Sequence, residues 1–289
     1  MDAFEEQVQQ QIDRLTNKSL REIEQAVTEK RLNWWAIHSG LKPAGPVSPR
    51  LAFERLFFDY MGLKKDDLPV LSETENEITW ASKNPCPTLE VCGRLKLDTR
   101  TVCRQAYEKS TQAFISQIDP RLRFVRSYKE IRPHAKICRE SIIRIDLEAC
   151  MSLAIDEAKV SRKEGNKGYG AVVWYAGKVI ARAHDTAGTR KDPSLHAEVY
   201  AIREACRVLK DGNLCGAVLV STCEPCPMCS SLAVWANISA LAYGASIKET
   251  AALGKSRILV SADEIVNASP VQLEVIPGVL REECLALYG

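Results

Sequence analysis

Long apolar runs are missing from this sequence. Segments such as AVVWY (171–175) and AVLV (217–220) are far too short for a bilayer core of roughly 30 Å, which excludes a membrane-spanning protein as a reading. An excess of one charge is missing too: the formal net charge is +2, so nothing draws the whole chain to nucleic acid or to acidic membranes, and any polyanion binding has to come from a local patch. The first residues, MDAFEEQVQQ, have neither the positive start nor the apolar core of a secretory signal, and a cytoplasmic protein is expected. There is no internal repeat and no low-complexity tract. Cysteine, by contrast, is abundant. Eleven of them in a chain expected to stay in a reducing compartment read as metal ligands or reduced core residues rather than disulfides.

At 289 residues, with 46% hydrophobic and 26% charged side chains, the chain has the composition of an ordinary soluble protein and a length that leans towards two domains. Apolar residues from Phe4 to Val27 recur at close to helical spacing. Gly40, Pro43, Gly45, Pro46 and Pro49 break that pattern, and Ser48-Pro49 opens a second helix. Asn84 to Ser141 is helix-compatible, without clear strand alternation, so residues 1–142 are expected to form a mainly α-helical domain. Residues 143–289 change character. A helix ending at Gly165 precedes two strands hinged at Ala176-Gly177-Lys178, then a helix from His196, the strand AVLVST, a helix from Cys226 and the strand ISALAYG. Helices alternating with strands indicate an α/β layered domain.

Chemistry concentrates in that second half. His196, Cys226 and Cys229 supply the three protein ligands of a catalytic zinc site, the fourth position being left to water. Cys226 and Cys229, three apart behind Pro225, can project from one face of a first helical turn, where the helix N-terminus favours thiolates. His196 follows Asp192-Pro193-Ser194, with Ser194 as the expected N-cap. Glu198 stands only two residues on, roughly 200° around an ideal helix, so it and His196 can meet at a metal only if the helix arrives nearly end-on. A carboxylate beside zinc, yet not bound to it, can shuttle protons for an activated water. The competing structural reading is a closed zinc site, for which Cys223 could be a fourth ligand, or a group of buried cysteines, with Glu198 on the surface.

HAEV and EPCPMC together carry the H-x-E…P-C-x-x-C pattern of zinc deaminases. On DPSLHAEVYAIREAC and TCEPCPMCSSLAVWA, residues from about 145 to the C-terminus resemble the cytidine deaminase superfamily, with the guanine deaminase and tRNA adenosine deaminase branches most similar. The resemblance implies a three-layer α/β/α domain around a five-stranded mixed sheet, commonly a homodimer. It also implies Zn2+ on His196, Cys226 and Cys229, proton transfer by Glu198, and substrate contacts from the Ala197 backbone, Asp185 and Trp235. The expected activity is hydrolytic deamination of a purine base or related aminoheterocycle in a guanine deaminase-like manner, with ammonia released. The alternatives are a tRNA adenosine-to-inosine deaminase and a non-catalytic binding module of the same fold. Where those branches usually carry an asparagine, VIARAHD places Asp185, which only accepts hydrogen bonds; a plain turn residue is the competing reading. Asp263 and Glu264 are candidates for a further C-terminal acid.

The first half carries no such resemblance. Cys86, Cys92, Cys103 and Cys138 are candidates for a second metal or iron–sulfur site, but they lack close C-x-x-C pairs, and reduced core cysteines are the favoured reading. RLRFVRSYKEIRPHAK, from Arg121, holds six Lys or Arg residues with Phe124 and Tyr128 among them. Arg121, Arg123 and Arg126 could meet RNA there, although a solvated or interdomain face is favoured at this net charge.

Overall fold

The computed structural model describes residues 2–38, 47–269, 271 and 273–289. Gly40, Pro43, Gly45 and Pro46 of the expected break lie outside the described residues. The chain divides into two compact units, Met1–Ile145 and Asp146–Gly289.

In the first unit, α1 (Ala3–Asn17) begins where the Asp2 carboxylate accepts the Glu5 N–H at 2.8 Å, and α2 (Leu20–His38) follows. α3 (Pro49–Glu54) has Ser48 as N-cap and Pro49 in its first turn, where the missing N–H costs nothing, and it runs on into a wider π-helical turn, Arg55–Tyr60. Then come β1 (Val70–Glu73), β2 (Glu77–Ser82), α4 (Pro87–Leu95), α5 (Thr99–Val102), a second π-helical turn at Cys103–Glu108, α6 (Lys109–Ile118), β3 (Leu122–Arg126) and β4 (Cys138–Arg144). The strands form an antiparallel sheet in the order β1-β2-β4-β3. Ile78, Trp80, Leu122, Phe124 and Ile142 on its inner face pack with Phe53, Leu56, Phe57 and Phe114.

Helix dominates this unit, as in the expected mainly α-helical domain, but Asn84 to Ser141, where no clear strand alternation was read, contains β3 and part of β4. The reason lies in what faces inward. On β3 the third residue of the inner face is Arg126, and on β4 three of the four are Cys138, Glu140 and Arg144, so polar groups hide the two-residue period that apolar side chains would have shown. The basic segment is corrected with it. Arg123 is buried, and Arg126 pairs with Glu140 at 2.7 Å, so these two belong neither to the favoured solvated face nor to an open strip for RNA.

In the second unit, α7 (Leu147–Lys163) is capped by Asp146, whose carboxylate accepts the Ala149 N–H at 2.8 Å, and it stops before Gly165 at φ +84°. β5 (Gly170–Tyr175) and β6 (Lys178–His184) make a hairpin whose two turn residues, Ala176 and Gly177, both have positive φ, as a tight turn between right-twisted strands requires. There follow α8 (Ala187–Arg190), α9 (Ala197–Leu209), β7 (Val218–Cys223), α10 (Pro227–Trp235), β8 (Ala240–Ala245), α11 (Ile247–Ala252), α12 (Ala262–Asn267), β9 (Glu274–Ile276) and α13 (Arg281–Leu285).

The sheet order is β6-β5-β7-β8-β9, antiparallel across β6, β5 and β7 and parallel from β7 to β9. One face meets α7 so closely that a Cβ on Gly170 would lie 2.0 Å from the Ala154 carbonyl oxygen. On the other face, Ala171, Val173 and Leu219 share a core with Ala197, Ala201 and Ala205 of α9, whose small side chains repeat every fourth residue. This is the three-layer α/β/α arrangement with a five-stranded mixed sheet that the resemblance implies. Among the described residues no helix is long and apolar enough to cross a membrane.

Candidate active site

The carboxyl ends of parallel strands are where an open α/β sheet leaves room for ligands, and β7 delivers the chain there. All six of its residues are buried, and its last three are polar: Ser221, Thr222 and Cys223. Glu224 follows, also buried, and its carboxylate accepts the N–H groups of Ile247 at 2.7 Å and Ala262 at 2.8 Å. These two bonds tie the β7–α10 loop to the starts of α11 and α12. They fix where the next residues, Pro225 and Cys226, begin.

Cys226 is the N-cap of α10 and Cys229 lies in its first turn. The proline in the first helical position is Pro227, while Pro225 precedes the cap. His196 is the N-cap of α9, a shift from expectation. Ser194 is used up earlier, its N–H and hydroxyl both bonded to Asp192 Oδ1 at 2.8 and 2.7 Å. Because His196 is a cap and Glu198 is in the first turn, α9 meets the site with its end, which resolves the conflict between their positions around the helix.

The three ligand candidates converge. Cys226 Sγ lies 3.7 Å from His196 Nδ1, Cys229 Sγ lies 3.5 Å from the same nitrogen, and the two sulfurs are 3.7 Å apart. A tetrahedral zinc ion with ordinary bond lengths spans edges of roughly 3.8 Å between sulfurs and roughly 3.5 Å between sulfur and nitrogen. The residues therefore fit the ion in number, softness and spacing. Among the described residues, this is the group of three or more potential ligands gathered within 4.8 Å. Cys223 stands outside it, its thiol near Thr250 and pushed up to about 12 by burial, so the closed four-ligand reading does not hold. Cys86, Cys92, Cys103 and Cys138 form no such group either, which removes the second metal or iron–sulfur site considered from sequence. The hydrogen bond between the two sulfurs, reinforced by His196, pulls Cys226 down to about 4, while the same contact and burial push Cys229 up.

Glu198 is 5% exposed. Ser221 donates to its Oε1 at 3.1 Å, and its Oε2 lies 3.6 Å from Cys229 Sγ, so the carboxyl is held against the ligand triangle without being part of it. Burial, then the charge at Cys226, raises its pKa above the usual carboxylate range, which suits a group that must both take and return a proton. Ser221 was not singled out from sequence. Its signal is a hydroxyl on a buried central strand, five residues before Cys226.

Asp185 follows β6 and is 1% exposed, and neither of its carboxylate oxygens has a hydrogen-bond partner. The Ala187 and Lys167 amides lie near enough to favour its charged form without completing a bond, and burial prevails, raising its pKa. The next residue, Thr186, donates its N–H at 3.1 Å to the carbonyl of Leu195, the neighbour of His196, which brings Asp185 close to the site, and His196 is among the charges acting on it. Ala197 is buried at the first position of α9, where backbone N–H groups lack intrahelical acceptors. Trp235 corrects its expectation: at 84% exposure on the last turn of α10 it walls no pocket in this chain. Asp263 is exposed and Glu264 is engaged in a capping box with Ser261.

Substitution of Cys226 or Cys229 by serine is expected to abolish zinc retention, whereas Cys223→Ser keeps it; metal analysis after dialysis checks this. Loss of zinc in Cys223→Ser would restore the four-ligand site.

Residues 144–245 match the cytidine and deoxycytidylate deaminase zinc-binding region. The tRNA-specific adenosine deaminase of Bacillus subtilis (strain 168) is 37% identical over 137 residues, which cover 47% of this chain and 83% of that protein. The guanine deaminase of the same organism is 42% identical over 86 residues, 30% of this chain and 55% of that protein, so the chain spans about half the length of this second relative. A solved structure from work on tRNA:A34 deaminases is 31% identical and covers 48% of this chain and 98% of that one, with a TM-score of 0.43.

Proposed function

Because the chain belongs to the cytidine deaminase superfamily of zinc-dependent hydrolytic deaminases, we propose that it deaminates a free purine base or related aminoheterocycle, in the manner of a guanine deaminase. The supporting observation is Asp185. A buried carboxylate with two unpartnered oxygens calls for donors from the substrate. A free lactam-type purine brings ring N–H groups in addition to the amino group it loses, whereas adenosine within RNA has no ring N–H and offers, besides that amino group, only its ribose 2′-hydroxyl.

His196, Cys226 and Cys229 hold Zn2+, which when bound supplies the Lewis acidity that makes water nucleophilic at neutral pH. Glu198 takes a proton from the attacking water and returns it to the departing nitrogen. A C–O bond forms, the C–N bond breaks and ammonia leaves. Ser221 keeps Glu198 Oε1 engaged, which directs Oε2 to the proton transfers. The Ala197 N–H, at the mouth of α9, is placed to bind a substrate acceptor.

A second reading, deamination of adenosine in tRNA, draws support from the 37% identical relative. The two separate in one assay: ammonia release from guanine, adenine, cytosine and their nucleosides, alongside inosine formation in tRNA. Turnover of a free base supports the proposal, and turnover of tRNA alone replaces it. The protein is further proposed to act as a homodimer, and light scattering at twice the chain mass is the expected result; a monomer that is fully active removes that part.

A further inference from the structure

The inner face of the first unit's sheet is apolar along most of its length and turns polar at one end. Glu140 is buried there and fully engaged. Its Oε2 accepts the Trp80 indole N–H at 3.2 Å and the Ser82 hydroxyl at 2.6 Å, and its Oε1 accepts Arg126 Nε and Nη2, both at 2.7 Å. An ion pair held from both strands fixes the orientation of the guanidinium. Its third nitrogen, Nη1, is buried and has no partner among the described residues. Buried donors are almost always satisfied, because leaving one unmade is costly. This one points to an acceptor brought from outside.

Three free, half-buried thiols lie at this end of the sheet. Cys138 is opposite Ser82 in the β2–β4 register, Cys86 is the N-cap of α4, and Cys103 opens the π-helical turn. Cys103 lies within electrostatic reach of Arg126, Glu140, Cys86 and Cys138 together. Single π-helical turns are frequent at functional sites, where the extra residue opens the helix. On the same turn Glu108 is hydrogen-bonded to Tyr128, whose ring carries the Arg104 guanidinium at 4.3 Å.

We propose that this end of the sheet is a second binding site, separate from the zinc chemistry, for a small organic monocarboxylate whose oxygens accept from Arg126 Nη1 and whose body packs against Cys86, Cys103 and Cys138. A carboxylate is the natural acceptor for a guanidinium edge. A dianion such as phosphate is disfavoured, since Glu140 and Glu108 both already act on Arg126 and a monocarboxylate adds the least further negative charge. The thiols give a soft, weakly polar wall suited to a short carbon chain.

The thiols also report occupancy. Iodoacetate and iodoacetamide alkylate cysteine by the same displacement of iodide, with the thiol proton lost to solvent, but only the former carries the carboxylate. With full-length reduced protein and mass-spectrometric mapping, the iodoacetate-to-iodoacetamide rate ratio at Cys86, Cys103 or Cys138 is expected to exceed that at Cys206, a half-buried thiol of the other unit, by about tenfold. Propionate should protect these thiols from iodoacetamide saturably, and propionamide should not. Arg126→Gln should bring the ratio to that of Cys206. Because that change leaves Glu140 unpaired, Arg126→Gln/Glu140→Gln serves as the folded comparison, with tryptophan fluorescence as the check. Equal ratios at all sites, equal protection by propionamide, or thiols that take up neither reagent would each overturn the proposal.

Discussion

Glu198→Gln is expected to lower kcat by about two to four orders of magnitude, the usual contribution of a positioned proton carrier, while zinc content stays unchanged. The substitution keeps the shape of the side chain and leaves an acceptor for the Ser221 hydroxyl, which donates at 3.1 Å. It removes only the ability to take a proton. Since Glu198 is buried, no solvent carboxylate can replace it, and since it is outside the ligand triangle, zinc should not depend on it. Activity and metal are therefore expected to part company. An active Glu198→Gln protein would end the proton-transfer role. Activity and zinc lost together would make Glu198 a structural support of the ligands instead.

Ser221→Ala tests the same site at smaller amplitude. Losing one hydrogen bond to a carboxylate should lower kcat several-fold without altering zinc content, because Glu198 keeps its chemistry but loses one of its restraints. No change in kcat would show that packing alone holds the carboxyl in place.

His196, Glu198, Cys226 and Cys229 were legible because metal chemistry restricts both residue type and spacing, and two helix starts advertise themselves through proline and local polar residues. The exact caps were not legible. Ser194 has the right chemistry for an N-cap, but its hydroxyl is already committed to Asp192, a choice that depends on the turn and not on residue identity. Ser221 and Glu224 were hidden for a different reason: their partners, Glu198 and the starts of α11 and α12, lie more than twenty residues away in sequence. In the first unit, Arg126 and Glu140 face into the protein as a pair, and each alone reads as an exposed charge. Trp235 was a substrate contact only by the family resemblance, and at the last turn of α10 its ring is exposed.

Asp185→Asn should reshape specificity more than any other single change near the site. If the carboxylate accepts from substrate N–H groups, an amide that must turn one N–H2 towards a donor loses a charge-assisted bond of about 1.5–3 kcal/mol, or about ten- to a hundredfold in kcat/KM for that substrate. A substrate with an acceptor at the same place should gain, since the amide can donate to it. The same change also relieves the buried, unpartnered carboxylate, whose burial raises its pKa and so disfavours the charged form of the folded protein above that pKa. With zinc removed by chelation, the thermal midpoint of Asp185→Asn is therefore expected to lie above that of the parent. Higher stability with altered specificity is the signature of a residue kept strained for binding. A turn residue would give the opposite pair, because loss of its local acceptor would lower the midpoint and leave the ranking of substrates as it was.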